Sequence, residues 1–176
     1  FVIFGSLILL GVIVFADVLK FLLLDDKSYW EAMKVVPLII LANFFLGIYN
    51  NLSVWYKLTD RTKMGAYISI VGAVLTLVLN YLLIPKFSYY GSAIATIVAY
   101  GSMMLISYVL GNRYYPIPYD MEKIGGYLGL SIVFSAISFY GFRENYFIGI
   151  SLLLVFVYFV YHNEKATILS IIKRKK

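Results

Sequence analysis

The sequence predicts an all-α integral membrane protein with about six transmembrane helices. Composition is the first reason: of 176 residues, 62% are hydrophobic and 14% charged, where a soluble domain is about 45–50% apolar and about 25% charged. The spacing of the charges is the second. They divide the chain into uncharged runs of about the length that a bilayer core of roughly 30 Å asks of a helix. The third is that these runs do not alternate in polarity, as membrane strands would. Backbone groups in lipid must then be paired within each segment, which leaves the helix.

The first apolar run is Phe1–Ala16, continuing as Val18–Leu24 after Asp17. It is apolar from its first residue, so Phe1 is expected inside or near the start of a helix, with more of the protein upstream. Val35–Tyr56 and Met64–Pro85 follow, 22 uncharged residues each. Phe87–Asn112 holds 26, of which the opening FSYYG reads as loop; Ile124–Phe142 holds 19 and Asn145–Tyr161 holds 17. The expected helices are 1–23, 32–56, 64–84, 91–111, 124–142 and 146–162. LDDKSYW, KLTDRTK, PKFSYYG and FRENY read as tight hairpins, so neighbouring helices run antiparallel. Pro116 and Pro118 forbid a continuous helix through the longest connection.

Orientation follows from the cations. With a cytoplasmic C-terminus, ten Lys and Arg lie inside, among them Lys57, Arg61, Lys63, Arg113 and Lys123, and five lie outside: Lys20, Lys27, Lys34, Lys86 and Arg143. That bias puts the tail in the cytoplasm. Tyr29, Trp30, Trp55, Tyr56, Tyr89, Tyr90, Tyr114, Tyr115 and Tyr146 gather at the helix ends, as interfacial belts do. The tail ATILSIIKRKK reads as a solvated stop-transfer run or as a segment lying along anionic lipid.

Several chemistries are excluded. Without cysteine there is no disulfide, zinc finger, iron–sulfur site or thiol nucleophile. The single histidine, His162, serves neither a multi-histidine metal site nor a Ser–His–Asp triad. There is no phosphate-binding glycine loop, and no cofactor is expected. The net charge of +6 does not imply nucleic acid, because no soluble basic face exists to present it.

Polar residues within the spans are the informative ones. Asn43, Asn50 and Asn51 share one face of helix two, beside Gly47 and Val54. Ser69, Thr76 and Asn80 share a face of helix three with Gly72 and Ala73. Amides and hydroxyls are costly in hydrocarbon unless paired, so these faces are expected to make interhelical hydrogen bonds or to line a polar cavity. Gly91, Ala95 and Ala99 form a small-residue stripe on helix four that admits a close helix neighbour. Asp17 and Lys20 sit one turn apart, as do Glu31 and Lys34, and local pairing is the simpler expectation for both. Asp17 is also the one candidate for an ion-linked carboxylate.

The stretch YWEAMKVVPLIILANFFLGIYNNLSVWYKLTDRTKMGAYISIVGAVLTLVLNYLLIPKFSYYGSAIATIVAYGSMM, Tyr29–Met104, resembles bacterial polysaccharide flippases. These are the Wzx-like O-antigen flippases of the multidrug/oligosaccharidyl-lipid/polysaccharide exporter superfamily. SYWEA resembles their outer hairpin, WYKLTDRTKMGA their basic inner loop, LNYLLIP their next helix end and GSAIAT their Gly-Ala-Ala-x-Ala-Thr helix start. The resemblance covers about 75 of the 176 residues.

It implies two lobes of six helices, often followed by two more. Residues 1–112 would be the last four helices of the second lobe, 113–123 a cytoplasmic loop, 124–162 the additional pair and 163–176 a basic tail. It implies transport rather than catalysis: an undecaprenyl-diphosphate-linked oligosaccharide flipped from the inner to the outer leaflet of the bacterial cytoplasmic membrane by alternating access. An ion gradient or the membrane potential would drive it. The cations that meet the lipid diphosphate in the family would lie upstream, since no Lys or Arg stands mid-span here. The alternatives are a drug or cation exporter of the same superfamily, a membrane-embedded polysaccharide polymerase or ligase, and a non-catalytic scaffold.

Overall fold

A computed structural model describes residues 1–23, 33–143 and 145–174, with side chains for 1–20, 33–143 and 145–165. The SYWEA hairpin, the Glu31–Lys34 pair, Tyr29, Trp30 and the outer cation Lys27 fall outside those residues in whole or part. Among the described residues the chain is helical without strands, and it is an all-α membrane fold. The helices are α1 (Val2–Val14), α2 (Ala16–Leu23), α3 (Val36–Leu52), α4 (Val54–Leu58), α5 (Thr62–Phe87), α6 (Tyr89–Tyr114), α7 (Met121–Ala136) and α8 (Tyr146–Arg174). Five helical stretches are long and apolar enough to cross a bilayer: Met33–Leu58, Thr62–Phe87, Tyr89–Tyr114, Met121–Gly141 and Tyr146–Lys165.

The expected helix over 1–23 is broken. Phe15 closes α1 by donating its N–H to Gly11 O at 3.0 Å, and α2 restarts with Asp17 in its first turn. A carboxylate there complements the positive end of the helix dipole. Pro37 opens α3 in its first turn, where its missing N–H costs nothing. Ser53 separates α3 from α4 without ending the span, its N–H still bonding to Tyr49 O at 2.8 Å.

The third of the expected connections differs most from expectation. PKFSYYG is no loop: α5 runs through Pro85 to Phe87, Ser88 alone turns the chain, and α6 begins at Tyr89. Ser88 takes a positive φ of 50°, and Gly91 makes so abrupt a reversal possible. A Cβ at that position would lie 2.5 Å from Leu83 O. Each of these helices has 26 residues, or about 39 Å, so both exceed the hydrocarbon thickness of about 30 Å. The connection expected over 113–123 shortens to 115–120. The span expected over 124–142 stays α-helical only to Ala136 and then widens into a π turn, Ile137–Gly141. The helix expected over 146–162 continues through the tail to Arg174.

The chain forms two compact units. One comprises Phe1 and Val18–Asp120, the other Val2–Asp17 and Met121–Lys176. In the first, α6 packs against both α3 and α5, around Tyr49, Ile68 and Met103. The stripe on α6 is the seam, as its spacing predicts: Ala95 and Ala99 are 0% exposed and Gly91 is buried. Small side chains here let backbones meet closely, which is where packing energy between membrane helices comes from. Opposite the seam α5 stays open, with Leu77 71% and Tyr81 81% exposed. In the second unit α1 packs on α7 and α8, around Leu10, Val14, Tyr127 and Phe156.

Candidate functional site

The two polar faces occupy different environments. On α3 the buried positions are Pro37, Ala42, Phe44, Ile48 and Tyr49. Asn43, Asn50 and Asn51 lie on the other side, exposed. Their expected bonds across helices do not form among the described residues. Asn43 Nδ2 donates to Ile39 O at 2.9 Å and Asn51 Nδ2 to Gly47 O at 3.1 Å, each one turn back on its own helix. Such a bond uses one amide proton and leaves the other proton and the amide oxygen facing outward. The face is a row of exposed amides, of which Asn43 and Asn51 are held by these bonds.

On α5 the buried stripe is Gly65, Ile68 and Gly72. Ser69, Thr76 and Asn80 flank it. Thr76 Oγ1 bonds back to Gly72 O at 2.8 Å. Asn80 Oδ1 is a buried acceptor with no partner among the described residues. Among the described residues Ser69 alone of the six reaches another helix, through a loose 3.5 Å contact between its Oγ and the Tyr49 hydroxyl. That hydroxyl also lies 3.3 Å from the hydroxyl of Tyr56. No hydrogen bond among the described residues joins the α3 amides to the α5 set.

The sequence reading missed the groups that join these helices. Trp55 and Tyr56 do not face outward as belt residues would; they are 2% and 8% exposed. Trp55 Nε1 donates to Ser107 Oγ on α6 at 3.3 Å. Its ring stacks on that of Tyr114, with centroids 5.9 Å apart and planes 17° from parallel. Two glycines make room: a Cβ at Gly111 would lie 2.8 Å from the Trp55 ring, and one at Gly65 2.7 Å from the Tyr56 ring. Gly65 and Gly111, aligned with aromatics at the same end of their helices, were the sequence signal. Tyr114, Tyr115 and Tyr146 are exposed at helix ends, as belt residues should be.

Asp17, in the second unit, takes a distant partner. Both its carboxylate oxygens accept from Arg143: Nη2 to Oδ1 at 2.8 Å, Nε to Oδ2 at 3.1 Å and Nε to Oδ1 at 3.3 Å. The expectation of purely local pairing with Lys20 thus gives way to a forked bond across 126 residues. Guanidinium is the group whose geometry fits both oxygens at once. Its carbon also sits 4.6 Å from the Phe139 ring centre, within the π turn. The bond to Asp17 raises the Arg143 pKa above its ordinary value, partly offset by burial. Near the other end of α7, Tyr127 donates to Glu164 Oε1 at 2.9 Å, and Lys123 Nζ stands 3.6 Å from the same oxygen.

Among the described residues no cluster of three or more His, Asp or Glu is placed to hold a metal. The fold and these faces define a multi-pass helical membrane protein. The MatE family model matches residues 1–82. That segment holds α1 to α4, most of α5 and all six polar residues. MatE members are transporters of the superfamily that the Tyr29–Met104 stretch resembles. No curated protein and no solved structure matches the chain.

Proposed function

We propose that this chain is part of a transporter of the multidrug/oligosaccharidyl-lipid/polysaccharide exporter superfamily, and that its cargo is an undecaprenyl-diphosphate-linked oligosaccharide. The match of residues 1–82 to the MatE model carries the transporter reading. The order of SYWEA, WYKLTDRTKMGA, LNYLLIP and GSAIAT supports the superfamily, and the cargo follows from the resemblance to polysaccharide flippases. In this reading residues 1–112 are the last four helices of a second lobe, and 124–162 an added pair. Two lobes rock about a central cavity in the bacterial cytoplasmic membrane, the C-terminal tail lies in the cytoplasm, and an ion gradient or the membrane potential supplies the drive.

The exposed amides of Asn43, Asn50 and Asn51 suit a sugar cargo. Each offers an acceptor and a donor outward, the pair of functions that a hydroxyl answers. A drug or cation exporter would want a carboxylate available to the cation, and Asp17 is engaged by Arg143. The test is reconstitution of the intact gene product in liposomes holding a fluorescent lipid-linked oligosaccharide in both leaflets. Dithionite added outside bleaches the outer half at once. Flipping carries the bleach beyond half, and only in vesicles holding the protein. Bleaching that stops at half, together with gradient-driven uptake of a cationic dye, would replace this reading with the drug exporter.

A further inference from the structure

We infer that the end of α5 and α6 where Arg61 and Arg113 meet is a binding site for the phosphate of an anionic phospholipid. The two guanidinium carbons lie 4.2 and 6.0 Å from the centre of one ring, that of Tyr114. Being tied to the same point, they are within about 10 Å of each other, roughly one screening length at 0.1 M salt. Two like charges this close repel unless an anion answers them. Among the described residues neither arginine has a carboxylate partner. Asp60, beside Arg61 in the turn, makes no ion pair among the described residues.

The ring that gathers them is itself fixed. Tyr114 stacks on Trp55, and Trp55 is buried and bonded to Ser107. Arg61 is held by its backbone as well, its N–H donating to Tyr56 O at 2.8 Å. The arginines are exposed, and Lys57 and Lys63 are exposed on the same short segment. Leu58, 65% exposed, adds an apolar side chain beside them. Cations beside apolar surface at a helix end match the chemistry of a headgroup, with its phosphate at the arginines and its chains along the helices. Guanidinium rather than ammonium at the centre suits the planar array of phosphate oxygens. The site rests on this packing and is independent of the identity of the cargo.

The test is a lipid titration of the purified protein in neutral detergent, read by thermal unfolding and by native mass spectrometry. Phosphatidylglycerol should raise the melting temperature and remain bound. Phosphatidylcholine at the same concentration should do neither. The double variant Arg61→Gln/Arg113→Gln should bind phosphatidylglycerol about 10- to 30-fold more weakly, at about one kcal/mol for each charge lost at a membrane surface. Lys86→Gln, at the far end of α5, should bind as the parent does. If loss of the Arg61 contact with Tyr114 impairs folding, Arg113→Gln alone should still weaken binding several-fold. Unchanged binding in the double variant, or in Arg113→Gln, overturns the site. So does an equal stabilisation by inorganic phosphate, which would make it a site for a free anion rather than a lipid.

Discussion

Breaking the Asp17–Arg143 pair should destabilise the unit that α1, α7 and α8 form. The side chains are 31% exposed for Arg143 and 21% for Asp17, and the shortest N–O distance is 2.8 Å. Unit charges about 4 Å apart attract by about 4 kcal/mol at an effective dielectric constant of about 20. Desolvation and side-chain ordering remove much of that. Exposed pairs are worth about 0–1 kcal/mol, while removing one partner of a fully buried pair costs about 3–5. With both groups mostly covered, Arg143→Ala or Asp17→Ala should cost about 1–3 kcal/mol. Asp17 also favours the start of α2 through the helix dipole, a contribution unrelated to Arg143. A double-mutant cycle removes it, and the coupling energy should be about 1–2 kcal/mol. Arg143→Lys should recover only part, because an ammonium cannot fork across both oxygens. Unfolding free energies from SDS titration in mixed micelles give the four corners of the cycle. A coupling energy below about 0.3 kcal/mol would refute the reasoning, since that is within the scatter for independent sites.

Other consequences follow from the packing and the charge bias. Ala95→Leu should cost about 1–3 kcal/mol by overfilling the α6 seam, whereas Ile97→Leu, partly exposed, should change melting by little; equal melting temperatures would contradict the seam. Asn43→Leu and Asn51→Leu should lower transport without lowering unfolding stability, because both amides are exposed and, among the described residues, bond only to their own helix; a parallel fall in stability would make them structural. A cysteine at Lys63 should be shielded from an impermeant maleimide in whole cells and one at Ser88 labelled; the reverse would invert the topology.

The helices were legible because composition and charge spacing are properties of the chain alone. The α6 stripe was legible for a similar reason: Gly91, Ala95 and Ala99 recur every four residues, which puts three small side chains on one helix face. Helix ends were less so. PKFSYYG carries a proline, a serine and two tyrosines, all read as loop, yet α5 continues through Pro85, which offers no N–H to the last turn, and Ser88 turns alone. The break at Phe15 has no proline or glycine beside it to announce it. The pairing of Asp17 with Arg143 depends on which helices pack together, and spacing along one helix favoured Lys20. Trp55 and Tyr56 sat where belts sit in the sequence, but pockets at Gly111 and Gly65 draw them inward. Of the polar residues, the sequence located the faces, and only the packing distinguished the open α3 amides from the half-covered α5 flank.

The most direct measurement is the leaflet and size of the lipid-linked intermediate in cells lacking the gene. A flippase leaves covalent structure untouched. Its loss should strand undecaprenyl-diphosphate oligosaccharide of normal repeat-unit size on the inner leaflet, with surface polysaccharide missing. A polymerase would leave single units accessible from outside, and a transferase would leave incomplete ones. Complete units at the outer leaflet of the deletion strain would contradict the transport reading.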